Sequence, residues 1–166
     1  MDSAFPRGKI HSVDKPPHPG ADDSCYISNN RLFIFMIYLL IAFGGAIGSV
    51  SRFWLSGLIG SRIGETFPWG TLWVNVTGCI VIGFIATLTG PEGRIFASSD
   101  SRQFLMTGIC GGYTTFSSFG LQTMNLVRDG DWLPAAGNIL ASVILCLVGV
   151  WLGHIGATYL NQSPGG

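Results

Sequence analysis

The sequence predicts an all-α membrane protein, and three observations carry that prediction. Four long runs lack charge, the charged residues crowd toward one end, and only short polar stretches join the runs. The chain has 166 residues, 48% of them hydrophobic and 11% charged. A soluble domain needs charge spread over its surface. Here Asp2, Arg7, Lys9, Asp14, Lys15, Asp22 and Asp23 fall in the N-terminal stretch and the remainder is sparsely charged, a pattern that fits lipid as the solvent. No strand-like alternation appears. Backbone in lipid must satisfy its own hydrogen bonds, so helices are expected rather than a barrel.

The first segment holds Pro6, Pro16, Pro17 and Pro19 with mixed charge and few large apolar residues. It cannot bury enough surface to fold, and residues 1–31 are expected to be a disordered tail. It also lacks the short apolar core and small-residue cleavage site of a secretory signal. The runs follow at 32–51 (with the helix continuing past Arg52 to about Gly60), 69–90, 104–127 and 133–160. Each reaches the roughly 20 residues that a bilayer-spanning helix requires. The expected layout is a four-helix transmembrane domain over 32–160 and a short C-terminal tail over 161–166.

Four spans would place Arg31, Arg94 and Arg102 on one side of the membrane and Arg62 and Arg128 on the other. Three against two gives scarcely any positive-inside bias, so insertion in both orientations is expected. Zero net charge leaves no nucleic-acid footprint. Cys25, Cys79, Cys110 and Cys146 are far apart and show no CxxC spacing, so they read as small packing residues rather than a zinc or disulfide framework. His11, His18 and His154 have no carboxylate partner in sequence, and Gly108–Gly112 lacks the lysine of a phosphate loop. No catalytic constellation emerges, and an enzyme is not expected.

Polar residues inside apolar runs carry the remaining information. Asn75 needs a partner in lipid, as interhelical glue or as a donor facing a polar pathway. Arg52 at the end of the first uncharged run either snorkels to the interface or supplies positive potential at a pore mouth. Gly44, Gly45, Ala46 and Gly48 form a small-residue stripe suited to close helix packing.

The third run is unusual, because Gly111-Gly112 followed by Thr114, Thr115, Ser117 and Ser118 is poor material for a continuous helix. A kink is one reading. The other is a break mid-membrane, whose freed carbonyls can hold a cation and whose second half-helix favours an anion at its start. Phe116 and Phe119, three residues apart, share a helical face. They either pack against neighbours or present ring edges, which carry partial positive charge, to a small anion.

Three stretches carry a resemblance. Gly44-Gly-Ala-Ile-Gly-Ser-Val-Ser-Arg52, Pro68-Trp-Gly-Thr-Leu-Trp-Val-Asn75-Val-Thr-Gly78 and Gly108-Ile-Cys-Gly-Gly-Tyr-Thr-Thr-Phe-Ser-Ser-Phe119 resemble the signature segments of the Fluc (CrcB) fluoride channels, in order and spacing. The resemblance covers about Leu32 to Leu160. It implies an antiparallel, dual-topology homodimer in a bacterial plasma (inner) membrane, passively exporting fluoride that entered as neutral hydrogen fluoride. It also implies that Asn75 donates its amide to fluoride, that Phe116 and Phe119 offer ring edges, and that Ser117, Ser118 and Ser142 line the track. Arg52 would sit toward the vestibule, and the carbonyls of Gly111 and Thr114 would hold a structural sodium ion (Na+) shared with the partner subunit. Gln122 departs from the glutamate of some relatives, which removes any role tied to a carboxylate there.

A small multidrug-type transporter is the alternative, being another four-helix chain of dual topology. It depends on a membrane-embedded glutamate, and none of the four runs contains an acidic residue.

Overall fold

The computed structural model describes residues 22–64, 66–91 and 93–162, with side chains from residue 31 onward. Packing divides the chain into two units, Met1–Phe33 and Ile34–Gly166. In the first, the tail expected over 1–31 lies outside the described residues as far as residue 21. From Asp22 onward the chain is already in helix α1 (Asp22–Ile63). The helix thus starts well ahead of the apolar run at 32. Once a helix is nucleated, each added residue gains a hydrogen bond for little further ordering, so a span propagates into its polar flank.

Every regular element among the described residues of the second unit is helical. After α1 come α2 (Trp69–Leu88), a four-residue α3 (Ser99–Arg102), a π-helical segment (Gln103–Cys110) and a single turn, α4 (Gly111–Tyr113). Helices α5 (Phe116–Arg128) and α6 (Trp132–Gln162) complete the chain. Among the described residues, three helical stretches are long and apolar enough to cross a membrane: Arg31–Ile63, Trp69–Leu88 and Trp132–Gln162. Their lipid-type surface is evident in Phe43, Phe53, Leu140, Leu147 and Trp151, all large, apolar and exposed.

Backbone-to-backbone approach sets the packing. A Cβ added at Gly153 on α6 would meet the Ile80 carbonyl and lie 2.8 Å from Phe84 N on α2. One added at Gly48 on α1 would meet the Ile109 carbonyl and lie 2.7 Å from Tyr113 N. Small residues permit this where no hydrophobic effect drives helices together, and dispersion contacts then hold the pair. The stripe at 44–48 therefore packs on the segment leading to α4.

The connections are tight. Between α5 and α6, Asp131 N–H bonds to Leu126 O at 2.9 Å and Gly130 N–H to Val127 O at 3.2 Å. With Gly130 at φ 86°, this is the Schellman closure that favours a residue without Cβ. Pro134 falls in the first turn of α6, where the missing N–H costs nothing. At the opposite end, Arg94 donates through Nη1 to Leu160 O at 3.1 Å and through its backbone N–H to Asn161 Oδ1 at 2.9 Å, tying the α2–α3 loop to the last turn of α6. Arg102 donates to the Thr89 carbonyl.

Candidate functional site

The site is built around the place where the chain leaves the helix. Thr114 (φ −78°, ψ 156°) and Thr115 (φ −151°, ψ 115°) are extended between α4 and α5. An extended peptide inside a membrane protein leaves polar groups that need partners. Asn75 supplies them from α2: its Oδ1 accepts from Thr115 N–H at 2.7 Å and its Nδ2 donates to Thr115 O at 3.0 Å. Both residues are buried. The Asn75 side chain thus pairs with the Thr115 peptide from both ends. A primary amide has two donor hydrogens, so one remains after the bond to Thr115 O.

Thr115 then starts α5. Its Oγ1 accepts from Ser118 N–H at 3.2 Å as an N-cap, donates to Ser118 Oγ at 3.1 Å, and lies 3.2 Å from Ser117 Oγ. On the other flank, Thr114 Oγ1 donates to Cys110 O at 3.0 Å, closing the last turn before the break. In a continuing helix, Thr115 N–H would bond to Gly111 O. Its donation to Asn75 takes that partner away.

Two hollows meet at the break. A groove of about 350 Å³ is lined by Asn75, Thr114, Thr115, Phe116, Phe119 and Ser142, among others. The Phe116 and Phe119 rings lie 5.2 Å apart between centroids, tilted by 51°. Phe119 is 9% exposed and Phe116 is 81% exposed, so one ring is anchored and the other projects. A second cavity of about 600 Å³ is lined by Arg52, Ser56, Thr115, Ser118 and Gln122. Thr115 belongs to both walls. The break is thus the partition between an apolar-lined groove and an arginine-bearing cavity.

Of the residues singled out from sequence, Asn75, Phe116, Phe119, Ser142 and Thr114 come together in the groove. Arg52 and Ser118 line the other cavity. Ser117 is exposed beside the break, and Gly111 lines neither hollow. Gln122 Oε1 is buried with no hydrogen-bond partner among the described residues. Among the described residues, no group of three or more His, Cys, Asp or Glu could hold a metal ion.

Sequence reasoning counted Thr115 only among the poor helix formers, and it passed over Asn138 and Thr123. Asn138 is 1% exposed and donates to Thr123 Oγ1 at 2.8 Å, while Thr123 donates to Phe119 O at 2.8 Å. Ser142 Oγ donates to Asn138 Oδ1 at 3.4 Å. This chain links α6 to the backbone of the anchored ring. Its signal was present as an amide in an apolar run, the same one that drew attention to Asn75. Tyr113 OH and Thr77 Oγ1, 2.9 Å apart, add a further α2 tie to α4.

Long apolar spans and an all-helical fold among the described residues define the class: a multi-pass helical membrane protein. The family described as CrcB-like protein, Camphor Resistance (CrcB), matches residues 39–154, and the chain belongs to that family. A Rhodospirillum rubrum protein named fluoride-specific ion channel FluC is 61% identical over 77% of this chain and 99% of its own length. An Opitutus terrae protein of the same name is 63% identical over 78% of this chain and 98% of its own length. A third, from Methylocella silvestris, is 51% identical over 78% of this chain and 99% of its own length. These relatives are named as channels, not as enzymes.

Proposed function

We propose that the chain is a fluoride-selective ion channel subunit that lets cytoplasmic fluoride leave passively across a bacterial inner membrane. The observation that carries the assignment is the convergence of Asn75, Phe116, Phe119 and Ser142 on one groove at a helix break. Fluoride is small and tightly hydrated, so its water must be replaced by well-aimed donors during passage. The remaining Asn75 amide hydrogen, the Ser142 hydroxyl and the electropositive ring edges supply attraction without trapping the ion beside a full positive charge. Arg52 draws anions into the neighbouring cavity, where Ser118 lies, and Ser117 extends the hydroxyl track on the exposed side of the break. Chloride is larger and a weaker acceptor, and it gains less from the same groups.

Residues 104–127 form the remaining span in this reading, third in chain order and broken at Thr114 and Thr115, and two copies pair antiparallel in a dual-topology homodimer. The exposed Phe116 ring and the near-balanced arginine count support that arrangement. The diversion of Thr115 N–H from Gly111 O leaves carbonyl oxygen available at the break. That suits a sodium ion held by the Gly111 and Thr114 carbonyls of both copies. Bound there, sodium supplies fixed positive charge near the anion path. The acid-free spans and the family weigh against a multidrug transporter.

The deciding experiment is efflux from liposomes carrying purified protein. Fluoride should leave rapidly while chloride is retained, and comparable rates for the two ions would refute the assignment. Replacing all sodium with a bulky organic cation should weaken both flux and dimer. Labelling of a C-terminal cysteine should find molecules in each orientation, and a one-sided result would require a partner of opposite topology.

A further inference from the structure

We propose that Cys79 and Cys146 form a two-thiol site for a soft divalent metal ion of the Hg2+ class, inside the groove lined by Asn75, Phe116, Phe119 and Ser142. The two cysteines lie on α2 and α6 and both line that groove. Gly149, one turn beyond Cys146, lets α6 approach so closely that a Cβ built on it would lie 3.4 Å from Cys79 Cβ. Neither cysteine is in a disulfide. Both are half-buried, whereas Cys110 is buried and lines neither hollow.

The donor chemistry selects the ion. Thiolates prefer soft cations, whereas the hydroxyls and amide elsewhere on the groove suit hard ones. A zinc ion needs about four ligands, and no third His, Cys, Asp or Glu joins the pair among the described residues. A thiophilic ion satisfied by two sulfurs remains. Binding converts two thiols and one divalent cation into a neutral bis-thiolate complex and releases two protons to water. Neutrality matters here, because a lone thiolate or bare cation would carry an unpaired charge into an apolar wall. The groove's 350 Å³ readily holds one ion. If the groove is the fluoride route, as proposed above, the bound ion stands in it and closes it.

The test uses the full chain in liposomes, titrated with Hg2+ and followed by sulfur-to-mercury charge-transfer absorbance, thiol counting and fluoride efflux. One equivalent per chain should consume two thiols, and a small dithiol should restore them. Cys79→Ser and Cys146→Ser should each weaken uptake by about 10²–10⁴, because the second sulfur then no longer binds intramolecularly. Cys25→Ser and Cys110→Ser should leave uptake unchanged. Cys79→Ala and Cys146→Ala repeat the measurement with a second replacement, each efflux rate being referred to that variant's own metal-free value. Wild-type affinity in either groove variant, or loss of uptake in Cys110→Ser, would overturn the site. Tight two-thiol uptake with undiminished efflux would support the site and overturn instead the assignment of this groove to fluoride.

Discussion

Helix α2 meets the middle of α6 through close backbone at Gly149 and Gly153, and it meets the α4–α5 break through the Asn75 side chain. Along the α6 seam, Gly153 brings carbonyl and amide groups of α2 within van der Waals reach, and no hydrogen bond is exchanged at that contact. Along the other seam, Asn75 pairs in both directions with the peptide of Thr115. The first seam is set by how closely the two backbones approach, with the Thr87 Oγ1–His154 Nδ1 contact of 2.8 Å at its far end. The second leaves polar groups in the interior, facing space large enough for an ion. Close backbone packing dominates one flank of the helix and an amide–backbone pair the other, so a substitution on either flank should fail in its own way.

The largest effect should come from closing the first seam. Gly153→Leu forces a side chain against the Ile80 carbonyl, and we predict a stability loss of about 4 kcal/mol or more, since overpacking against backbone has no cheap relief. Thermal melting in detergent measures it, and an unchanged midpoint would disprove the close contact. Next, Asn75→Ala leaves the N–H and C=O of Thr115 buried without partners, a cost of about 3 kcal/mol with loss of flux. A variant that melts like wild type but fails to conduct would assign Asn75 to the ion alone.

Ring replacement should separate the seams more sharply. Phe116→Ile and Phe119→Ile are each expected to slow fluoride efflux about a hundredfold, near 2.7 kcal/mol of barrier, with folding retained. Normal efflux in both would reduce the rings to packing. The smallest effect belongs to Ser142→Ala. Its bond to Asn138 is long at 3.4 Å, so about 0.5 kcal/mol of stability is expected and any larger change should appear in flux.

What could be read in the sequence follows from the range of the interactions. The apolar runs at 69–90 and 133–160 correspond closely to α2 and α6, because hydropathy is a local property. The poor helix formers at 111–118 drew attention to the segment where the helix stops. The residue that settles it, Thr115, is fixed by an amide forty positions upstream, which no local pattern reveals. The start of α1 at Asp22 was equally invisible, since cooperative propagation overrides the polar composition there. Asn138 shows a different lapse. It carried the same signal as Asn75 but no neighbouring motif, and only packing discloses that it steadies the carbonyl of Phe119 through Thr123. The proximity of Cys79 to Cys146 belongs to the same class, because it exists only once α2 and α6 have docked.

The tight Asp129–Asp131 turn has a consequence for biogenesis. Helix α5 has 13 residues, among them Ser117, Ser118, Gln122, Thr123, Asn125 and Arg128, and it is absent from the stretches able to cross a membrane by themselves. This half of the 104–127 run is short and hydrophilic, and it gains little by itself from leaving the translocon for lipid. The gain must arrive with α6, to which the turn couples it as a helical hairpin. The hypothesis is that this part of the chain waits until α6 has been synthesised, and that Asn75 finds Thr115 only then. A chain ending after Arg128 and carrying Leu126→Cys should therefore expose that thiol to a membrane-impermeant reagent, whereas the full-length protein, in which Leu126 is buried, should shield it. Equal protection in both would show that the segment inserts without its neighbour.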